Sequence, residues 1–504
     1  MSGKVWLVGA GPGDPEMLTI KGLRALERAD VVVHDRLIGT GVLRYAPPDA
    51  EFIDVGKWSD WHPVPQEEIQ NILIDRARAG KRVVRLKGGD PFLFGRGGEE
   101  MEALMNSGVP CELVPGVTSA IAVPACAGIS VTHRGLASSL HIVTAHRRDG
   151  ESPVDYGALA RLEGTLVFLM GVAELPEICG GLIAGGMSLN TPAAVIERGM
   201  TARQRRVTAP LGELAERAGS EKVEAPAVIV VGKVVALADR LDWRAALPLH
   251  NWRVVVTRSD ATVQGRGRLT EILRSRGAEV LEVPCTRTET IDAPLPSLSG
   301  YAWLVFTSPT GVKSFFERLA ADQRDVREIG NAKIAAVGPS TKSAMEAHGL
   351  RVNLVPPVYS GESLGETLLS DIRSSGVSPS GSRLLLLRAE RGAPGLTRVL
   401  KEGGAEYDEV PLYRTAPIAR DSDLIEALTE ALRDTDAAAF ACASSVRSFA
   451  AAWPNVRVRA ACIGEQTERA ACEAGYKTRT AKKATLEDLA DAVAETANIE
   501  TKTI

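Results

Sequence analysis

The 504-residue sequence lacks any apolar run of the ~18–20 residues that a membrane-spanning helix requires. Its longest apolar stretches, around residues 165–172 and 227–238, have the length of strands and are interrupted by glycine or lysine. The amino terminus leads directly into an apolar strand pattern, without the basic and long apolar regions of a secretion signal. We therefore expect a cytoplasmic protein that makes no contact with a membrane.

Cysteine pairs and an excess of positive charge are also missing. The seven cysteines include no C-x-x-C pair, and the seven histidines show no spacing typical of a zinc site. Lysine and arginine number 59 against 63 aspartates and glutamates, which gives a net charge of −4. Nucleic-acid-binding domains usually carry a basic excess. We expect reduced thiols, no metal and no nucleic-acid partner, while local basic pockets for an acidic small molecule stay compatible with this balance.

Strand and helix patterns alternate along most of the chain. Residues 5–8, 31–34 and 83–86 are short β-branched runs, and residues 66–79 form a helical pattern between them. Repeated strand–helix units predict a parallel sheet covered by helices, and the length predicts about three or four domains. After about residue 140 the strands have more varied connections, which predicts a second α/β domain. A boundary is expected near residues 246–252.

The carboxyl-terminal half contains a faint internal repeat. Phe306 is followed by the same spacing of apolar and basic residues as Phe440, and Gly338 precedes Thr341 as Gly464 precedes Thr467. These matches recur at an offset of about 130 residues, which predicts two similar α/β domains.

Two glycine-rich segments follow predicted strands. Residues 9–15 differ from the dinucleotide-binding fingerprint because Asp14 replaces its last glycine, and the segment alone fits a rigid turn as well as a ligand loop. Residues 87–97 follow the fourth strand, at the sheet edge where open α/β sheets bind ligands. There Asp90 is suited to accept hydrogen bonds from a ribose or an amine. Asp35 and Lys57 end the second and third strands, where they are candidates for proton transfer or an exposed ion pair.

Taken in order, these segments together with residues 34–37, 55–57, 84–91, 114–120 and 132–134 resemble the tetrapyrrole methylase family, and within it the uroporphyrinogen-III C-methyltransferases. The resemblance covers about residues 3–243. It implies an α/β tetrapyrrole methylase fold of two domains, about 1–135 and 136–246, which binds S-adenosylmethionine between them. It also implies a homodimer formed through this half. The dehydrogenase–ferrochelatase module that some members carry at the amino terminus is not expected here.

The resemblance implies a role for each matching residue. Asp35 is the expected proton acceptor and Lys57 the expected proton donor. Because the tetrapyrrole substrate carries eight carboxylates, we expect Arg96 and Arg134 to bind it, with Arg147, Arg198 and Arg203 as further candidates. The expected cofactor contacts are Pro12, Gly88, Gly89, Asp90, Leu93, Thr118, Ser119, Met170 and Gly199.

The second half is similar to the uroporphyrinogen-III synthase family over about residues 253–495. The similarity is carried by residues 254–258, 305–308, 410–415 and 443–446. It implies a two-domain α/β fold, with one domain from 253–284 plus 415–495 and the other from 288–410. Tyr413 matches the family's candidate proton donor to the leaving hydroxyl, although packing at the linker would explain it equally. The expected substrate-binding residues are Ser308, Thr341, Arg388, Ser444 and Thr467.

Together the two resemblances imply a bifunctional enzyme of siroheme or cobalamin biosynthesis. The synthase half would close hydroxymethylbilane to uroporphyrinogen III. The other half would methylate that product at C2 and C7 with two S-adenosylmethionines, giving precorrin-2. One alternative is a later precorrin or cobalt-precorrin methyltransferase fused to the synthase. The other is a non-catalytic tetrapyrrole-binding regulator, which the intact set of Asp35, Lys57 and Asp90 disfavours.

Overall fold

The computed structural model describes residues 3–498 apart from residues 37, 48, 57–63, 146–153, 260–266, 418–428 and 430. The chain forms two compact units. The first unit is built from segments 1–258, 262–283 and 420–504, and the second mainly from segment 284–419. Within the described part, no helix is both long and apolar enough to cross a membrane.

The first unit begins with a five-stranded parallel sheet in the order β3-β2-β4-β1-β5. Its strands are β1 Lys4–Gly9, β2 Val31–His34, β3 Glu51–Asp54, β4 Arg82–Lys87 and β5 Cys111–Val114. Its helices are α1 Ile20–Leu26, α2 Thr40–Leu43, α3 Gln66–Arg78, α4 Gly97–Asn106 and α5 Ser119–Cys126.

Burial explains why these segments form a covered sheet. Val5, Leu7 and Val8 of β1 are completely buried, as expected for a parallel strand whose two faces both contact helices. In α3, Ile69 and Leu73 are four positions apart and lie on one buried face. Separate apolar clusters containing Leu7 and Val8 cover the two faces of the sheet.

A second five-stranded sheet follows in the order β6-β7-β10-β8-β9 and is mixed. Only the β6–β7 pair is parallel. The strands are β6 Leu140–Thr144, β7 Thr165–Leu169, β8 Pro192–Glu197, β9 Arg205–Pro210 and β10 Ala227–Val231. The helices are α6 Tyr156–Ala160, α7 Leu175–Ala184 and α8 Leu211–Ser220.

Three elements follow the second sheet and lead from the first unit into the second. These connecting elements are β11 Arg253–Ser259, α9 Arg268–Ser275 and β12 Glu279–Thr290. The second unit contains β13 Trp303–Phe306, α10 Pro309–Ala321, β14 Lys333–Ala336, α11 Pro339–Glu346, α12 Gly361–Ser374, β15 Leu384–Ala389, α13 Gly395–Glu402 and β16 Tyr407–Pro417. Its strands lie in the order β14-β13-β15-β16 and pair in parallel, and β16 pairs antiparallel with the end of β12.

The chain returns to the first unit and completes a parallel set ordered β11-β17-β18-β19. The added elements are β17 Ala437–Phe440, α14 Ala443–Ala452, β18 Arg459–Cys462, α15 Glu465–Glu473, β19 Lys477–Thr480 and α16 Leu486–Glu495. Short 3₁₀ helices lie at Pro15–Met17, Lys233–Leu237, Arg244–Ala246, Val326–Ile329, Pro379–Gly381 and Thr496–Asn498.

The internal repeat is visible in local geometry. Ser308 precedes α10 with φ −162° and ψ 154°, and Cys442 precedes α14 with φ −162° and ψ 156°. The rings of Phe306 and Phe315 meet edge to face at 5.4 Å, whereas the corresponding Phe440 ring makes this contact at 5.7 Å. The elements β13-α10-β14-α11 and β17-α14-β18-α15 are therefore two copies of one motif, as the sequence predicts.

Candidate active sites

The carboxyl ends of β1, β4 and β5 meet at glycines whose backbones touch. Gly89 donates its N–H to the Gly11 carbonyl at 2.8 Å, and the Gly11 N–H bonds back to the Gly89 carbonyl at 3.3 Å. A Cβ on Gly116 would lie 2.2 Å from the Gly89 carbonyl oxygen, so only glycine fits. This close approach brings the loops after three strands to one sheet edge, the position at which open α/β sheets bind ligands.

Asp90, which follows Gly88 and Gly89, joins two of these loops. Its Oδ1 accepts the Phe92 N–H at 2.8 Å, and its Oδ2 accepts the Gly116 N–H at 2.9 Å. Each carboxylate oxygen can accept a second hydrogen bond. Asp90 therefore supports the loop geometry and retains capacity to bind a ligand.

Thr118, Ser119 and Leu93 lie around the beginning of α5. Thr118 caps this helix by accepting the Ala120 N–H at 3.3 Å. The Ser119 nitrogen is 3.8 Å from the place that a Cβ on Gly89 would occupy. Leu93 packs against the apolar cluster that contains the buried side of α5. The structure thus brings these predicted cofactor contacts to the glycine-rich edge.

Pro12, Met170 and Gly199 lie in three further loops. Pro12 is half-buried in the loop after β1. Met170 follows β7 with a left-handed φ of 54° and is 50% exposed, so its side chain is available to a ligand. Gly199 lies against α5, where a Cβ would come within 2.3 Å of Val123 Cγ1.

Asp35 follows β2 and pairs with an arginine that the sequence reasoning missed. The Arg85 Nη2 donates to Asp35 Oδ1 at 2.6 Å, and the Lys87 Nζ lies 3.9 Å from Oδ2. The Arg85 side chain is 2% exposed in the middle of β4, whereas the Asp35 side chain is 31% exposed. The arginine therefore holds the carboxylate in place while part of it remains accessible.

Glu100, in the first turn of α4, completes a buried group of charges. Its Oε1 lies 3.2 Å from Arg85 Nε and 3.0 Å from Lys87 Nζ, and accepts from Gln66 Nε2 at 3.1 Å. Burial, together with the neighbouring Arg85 charge, lowers the pKa of Lys87. We call Asp35, Arg85, Lys87 and Glu100 the β4 charge cluster. Its two cations and two carboxylates balance where an unpaired charge is costly.

The signal for this cluster lies partly in the sequence. Arg85 and Lys87 occupy alternate positions of an otherwise apolar strand, which indicates charged groups that share one face. Glu100 has no such signal, because the adjacent Glu99 has the same chemistry and is exposed. Lys57 lies outside the described residues, so its assignment as proton donor stays a prediction.

The arginines predicted to bind the substrate have different environments. Arg96 is exposed and forms a two-pronged ion pair with Glu99, at 3.0 and 2.6 Å. Arg134 is exposed and makes no ion pair among the described residues. Arg198 pairs with Glu224 at 3.4 Å, and Arg203 pairs with Asp434 at 2.7 Å and with Asp436 at 3.0 Å. Arg147 lies outside the described part of the chain.

In the second unit, two predicted residues are in direct contact. Ser308 Oγ lies 2.8 Å from the Tyr413 hydroxyl and also accepts the Gly311 N–H at 2.9 Å as the cap of α10. Both side chains are half-buried. The pair presents hydroxyl groups at a helix amino terminus, an arrangement suited to hydrogen-bonding an oxygen of a substrate.

Thr341 and Arg388 are more deeply placed. Thr341, in the first turn of α11, is buried, and its Oγ1 has no hydrogen-bond partner among the described residues. Arg388 is also buried. It donates from Nε to Glu409 Oε1 at 2.7 Å and from Nη1 to the Ala393 carbonyl at 3.2 Å. Two of its three guanidinium nitrogens are thus bonded within the protein.

Ser444 and Thr467 belong to the first unit. Ser444 is exposed in the first turn of α14, and its Oγ lies 3.2 Å from Cys442 Sγ. Thr467 is buried in the first turn of α15. They occupy the repeat positions related to the region around Ser308 and to Thr341. Among the described residues, no group of three or more histidine, cysteine or acidic side chains could hold a metal ion.

Two family models match separate parts of this chain. Residues 4–215, the methyltransferase segment below, match the tetrapyrrole (corrin/porphyrin) methylases. Residues 267–491, the synthase segment, match uroporphyrinogen-III synthase HemD. Over 503 residues, the chain is 37% identical to the porphyrin biosynthesis protein HemD of Ruminiclostridium josui, covering 98% of each chain. The chain therefore belongs to a family in which a tetrapyrrole methylase and a uroporphyrinogen-III synthase are joined in one chain.

As a member, it is a methyltransferase joined to a synthase, with the two α/β folds that the sequence predicts. It is also 40% identical over 361 residues to the uroporphyrinogen-III C-methyltransferase of Bacillus subtilis, covering 71% of this chain and 74% of that one. A solved uroporphyrin-III C-methyl transferase from Thermus thermophilus, in complex with S-adenosylhomocysteine, is 46% identical with a TM-score of 0.41. That match covers 46% of this chain and 99% of the solved one.

Proposed function

We propose that the synthase segment closes hydroxymethylbilane to uroporphyrinogen III and that the methyltransferase segment methylates this product at C2 and C7 to give precorrin-2. The observation that carries the proposal is the Asp35–Arg85 ion pair in the same sheet as the glycine-rich loops. It lies in a segment that matches the tetrapyrrole methylases. A fixed carboxylate in the same sheet as a ligand-binding edge suits a reaction that must remove a proton from its product.

The residues at this edge fit S-adenosylmethionine as the methyl donor. Gly89 contacts Gly11 and Gly116 through its backbone, and Asp90 retains lone pairs for a ribose or amino group. Leu93 and Met170 add apolar surface. When bound, the donor supplies an electrophilic methyl group. The contacts that we propose for it are Pro12, Gly88, Gly89, Asp90, Leu93, Thr118, Ser119, Met170 and Gly199.

Asp35 is proposed to accept the proton that the methylated macrocycle loses. Methylation of a ring carbon leaves positive charge on the macrocycle, and a nearby carboxylate both stabilises that charge and removes the proton. Arg85 fixes Asp35 from its buried side, which limits the motion of the base. Lys57 is retained as the proposed proton donor, and Arg96 and Arg134 as contacts of the substrate carboxylates.

In the synthase segment, we propose that Tyr413 donates a hydrogen bond to the departing hydroxyl. Ser308 orients the Tyr413 hydroxyl at 2.8 Å and is itself fixed by the Gly311 N–H. Departure of the hydroxyl is chemically easy, so the remaining hydroxyl groups at Thr341, Ser444 and Thr467 would mainly orient the carboxylate-rich chain. Arg388 is retained as a proposed contact of a substrate carboxylate, through the guanidinium nitrogen that bonds neither Glu409 nor Ala393.

The test is to incubate the purified chain with uroporphyrinogen III and S-adenosylmethionine and to determine the product mass. A gain of two methyl groups supports the proposal. No gain with uroporphyrinogen III but methylation of a later precorrin would favour the precorrin-methyltransferase alternative. Binding of tetrapyrrole without turnover by either segment would favour the regulator.

We further propose a cytoplasmic location and a homodimer formed through the methyltransferase segment. None of the seven cysteines, all in the described part, forms a disulfide. Light scattering of the full chain and of a variant with a substituted methyltransferase surface would test the dimer. A monomeric mass for the unmodified chain would contradict it.

A further inference from the structure

The loop at residues 198–204, between β8 and β9, carries Gly199 and is held to α5 at one side. Gln204 makes two of the contacts that hold it. Its Oε1 accepts the Met200 N–H at 2.9 Å, and its Nε2 donates to the Cys126 carbonyl at 3.2 Å. The loop is therefore attached to the carboxyl-terminal end of α5, the helix whose amino terminus carries Thr118 and Ser119.

The loop backbone adopts an unfavourable conformation. Arg198 has φ 47° and Met200 has φ 69°, both in the left-handed region that non-glycine residues rarely adopt. Gly199 between them packs so tightly on Val123 that no side chain fits. Such a conformation persists only when surrounding contacts impose it.

Part of that restraint comes from the synthase segment. Glu279 Oε2 accepts the Ala202 N–H at 2.7 Å. Arg203 donates from Nε to both carboxylate oxygens of Asp434, at 2.8 and 2.9 Å, and from Nη1 to Asp436 at 3.0 Å. All three carboxylates lie within residues 267–491, whereas Ala202 and Arg203 lie within residues 4–215.

Arg253 binds the same three carboxylates. It donates to Glu279 at 3.1 and 3.2 Å and to Asp434 Oδ2 at 3.1 Å. Its backbone N–H binds Asp436 at 2.8 Å. Two-pronged arginine–carboxylate contacts in a network are stronger and better oriented than isolated surface pairs. The hydrogen bond to Asp434 is the main cause that raises the pKa of Arg203.

We propose that Arg203 is a positioning residue of the methyl-donor site. Asp434 and Asp436 of the synthase segment set the conformation of the Gly199 loop through it, and Glu279 does so through the Ala202 N–H. The inference builds on the proposed function, because Gly199 is a proposed contact of S-adenosylmethionine. Affinity for the donor then depends on carboxylates that belong to the other enzyme of the fusion, so the synthase segment forms a structural part of the methyltransferase.

The test uses the full chain with Asp434→Asn and Asp436→Asn combined, and calorimetry with S-adenosylhomocysteine. We expect the affinity to fall by about 3- to 30-fold, the range typical of coupling between connected sites. In turnover, the KM for S-adenosylmethionine should rise while kcat changes by less than about twofold. Ring closure from hydroxymethylbilane should keep its normal rate, which also shows that the variant is folded.

Three further variants make the result specific. Arg203→Ala should have the same effect as the double variant, and combining the two should add little, because they remove one interaction. Arg203→Lys should bind S-adenosylhomocysteine more tightly than Arg203→Ala does, since lysine keeps the positive charge but cannot make the two-pronged contact of the guanidinium. Arg217→Ala, which breaks an exposed pair with Glu221 at the end of α8, should leave the affinity unchanged.

Unchanged affinity in both Arg203→Ala and the double variant would overturn the inference while leaving the proposed function intact. An unmodified chain that fails to bind S-adenosylhomocysteine would instead refute the proposed function. If the double variant loses ring closure, Glu279→Gln replaces it, because this change removes only the charge opposite the Ala202 N–H and Arg253. The same loss of affinity is then expected, and its absence counts against the inference.

Discussion

The two candidate sites contain different chemical groups. In the methyltransferase segment, Asp35 belongs to the β4 charge cluster, whose other three members are buried. In the synthase segment, Ser308 and Tyr413 are neutral hydroxyls 2.8 Å apart. The difference fits the two proposed reactions: a methylated, positively charged ring needs a base, whereas a departing hydroxyl needs a donor and an oriented chain.

The comparison also predicts different sensitivities. A buried charge that loses its partner is costly, because the remaining charge stays desolvated. A neutral hydrogen bond that is lost costs only about 1 kcal/mol. Substitutions in the β4 charge cluster should therefore have large effects on methyl transfer or stability, and substitutions at the hydroxyl pair should have small ones.

The largest effect is expected for Asp35→Asn. Removing the proton acceptor should slow methylation of uroporphyrinogen III by on the order of 10²–10⁴-fold, the usual contribution of a general base. Ring closure should be unaffected, because it uses other residues. The two rates are measured separately on the same preparation, and a methylation rate within threefold of the unmodified chain would remove Asp35 from the mechanism.

Glu100→Gln should destabilise the protein rather than act on chemistry alone. It leaves Arg85 and Lys87 buried with one carboxylate between them, and losing a partner of a buried pair costs about 3–5 kcal/mol. The matched control is Glu99→Gln, which breaks an exposed pair with Arg96 and should cost less than about 1 kcal/mol. Denaturant unfolding followed by circular dichroism measures both. Equal losses in the two variants would show that the cluster does not behave as a buried unit.

Asp90→Ala should weaken binding of S-adenosylhomocysteine by about 10- to 100-fold. The change removes two hydrogen bonds to backbone N–H groups, each charge-assisted and worth about 1.5–3 kcal/mol, and so loosens two loops as well as removing a ligand contact. Calorimetry gives the affinity. A value equal to that of the unmodified chain would contradict the placement of the donor.

Tyr413→Phe should slow ring closure only about fivefold, as expected for one neutral hydrogen bond. Conformational control by the rest of the site remains, so the product should still be uroporphyrinogen III. The rate is followed by product formation from hydroxymethylbilane, with Tyr407→Phe on the same strand as the control. A loss of a thousandfold would show that this site depends on its proton donor as strongly as the other depends on its base.

Much of the fold follows from local sequence pattern. The predicted strand at 31–34 coincides with β2, and the one at 83–86 lies within β4, because β-branched apolar runs between turns have few alternatives. Strand β9, Arg205–Pro210, was not predicted, since it is an antiparallel edge strand with polar residues on one face. The repeat was predictable because both copies end a strand in phenylalanine, at Phe306 and Phe440, and place a glycine three residues before a threonine, at Gly338 and Gly464.

The sites were less predictable, for physical reasons. The loops around Gly89 and Gly116 have a sequence signature, since only glycine permits their contact. Glu100 has none, because burial distinguishes it from Glu99 only after α4 packs on the sheet. The positive charge of Arg203 makes it a candidate substrate contact in the sequence. In the structure it pairs with Asp434 and Asp436, which lie more than 200 residues away in the sequence. Long-range pairs of this kind have no local pattern.

The central claim is that one chain both closes the ring and methylates it. The most direct test is a single reaction containing hydroxymethylbilane and methyl-labelled S-adenosylmethionine. The unmodified protein should convert the linear substrate into a macrocycle that carries two labelled methyl groups. Asp35→Asn under the same conditions should accumulate unmethylated uroporphyrinogen III. Labelled product from Asp35→Asn at a rate within threefold of the unmodified protein, or failure of the unmodified protein to form a methylated ring, would contradict this account.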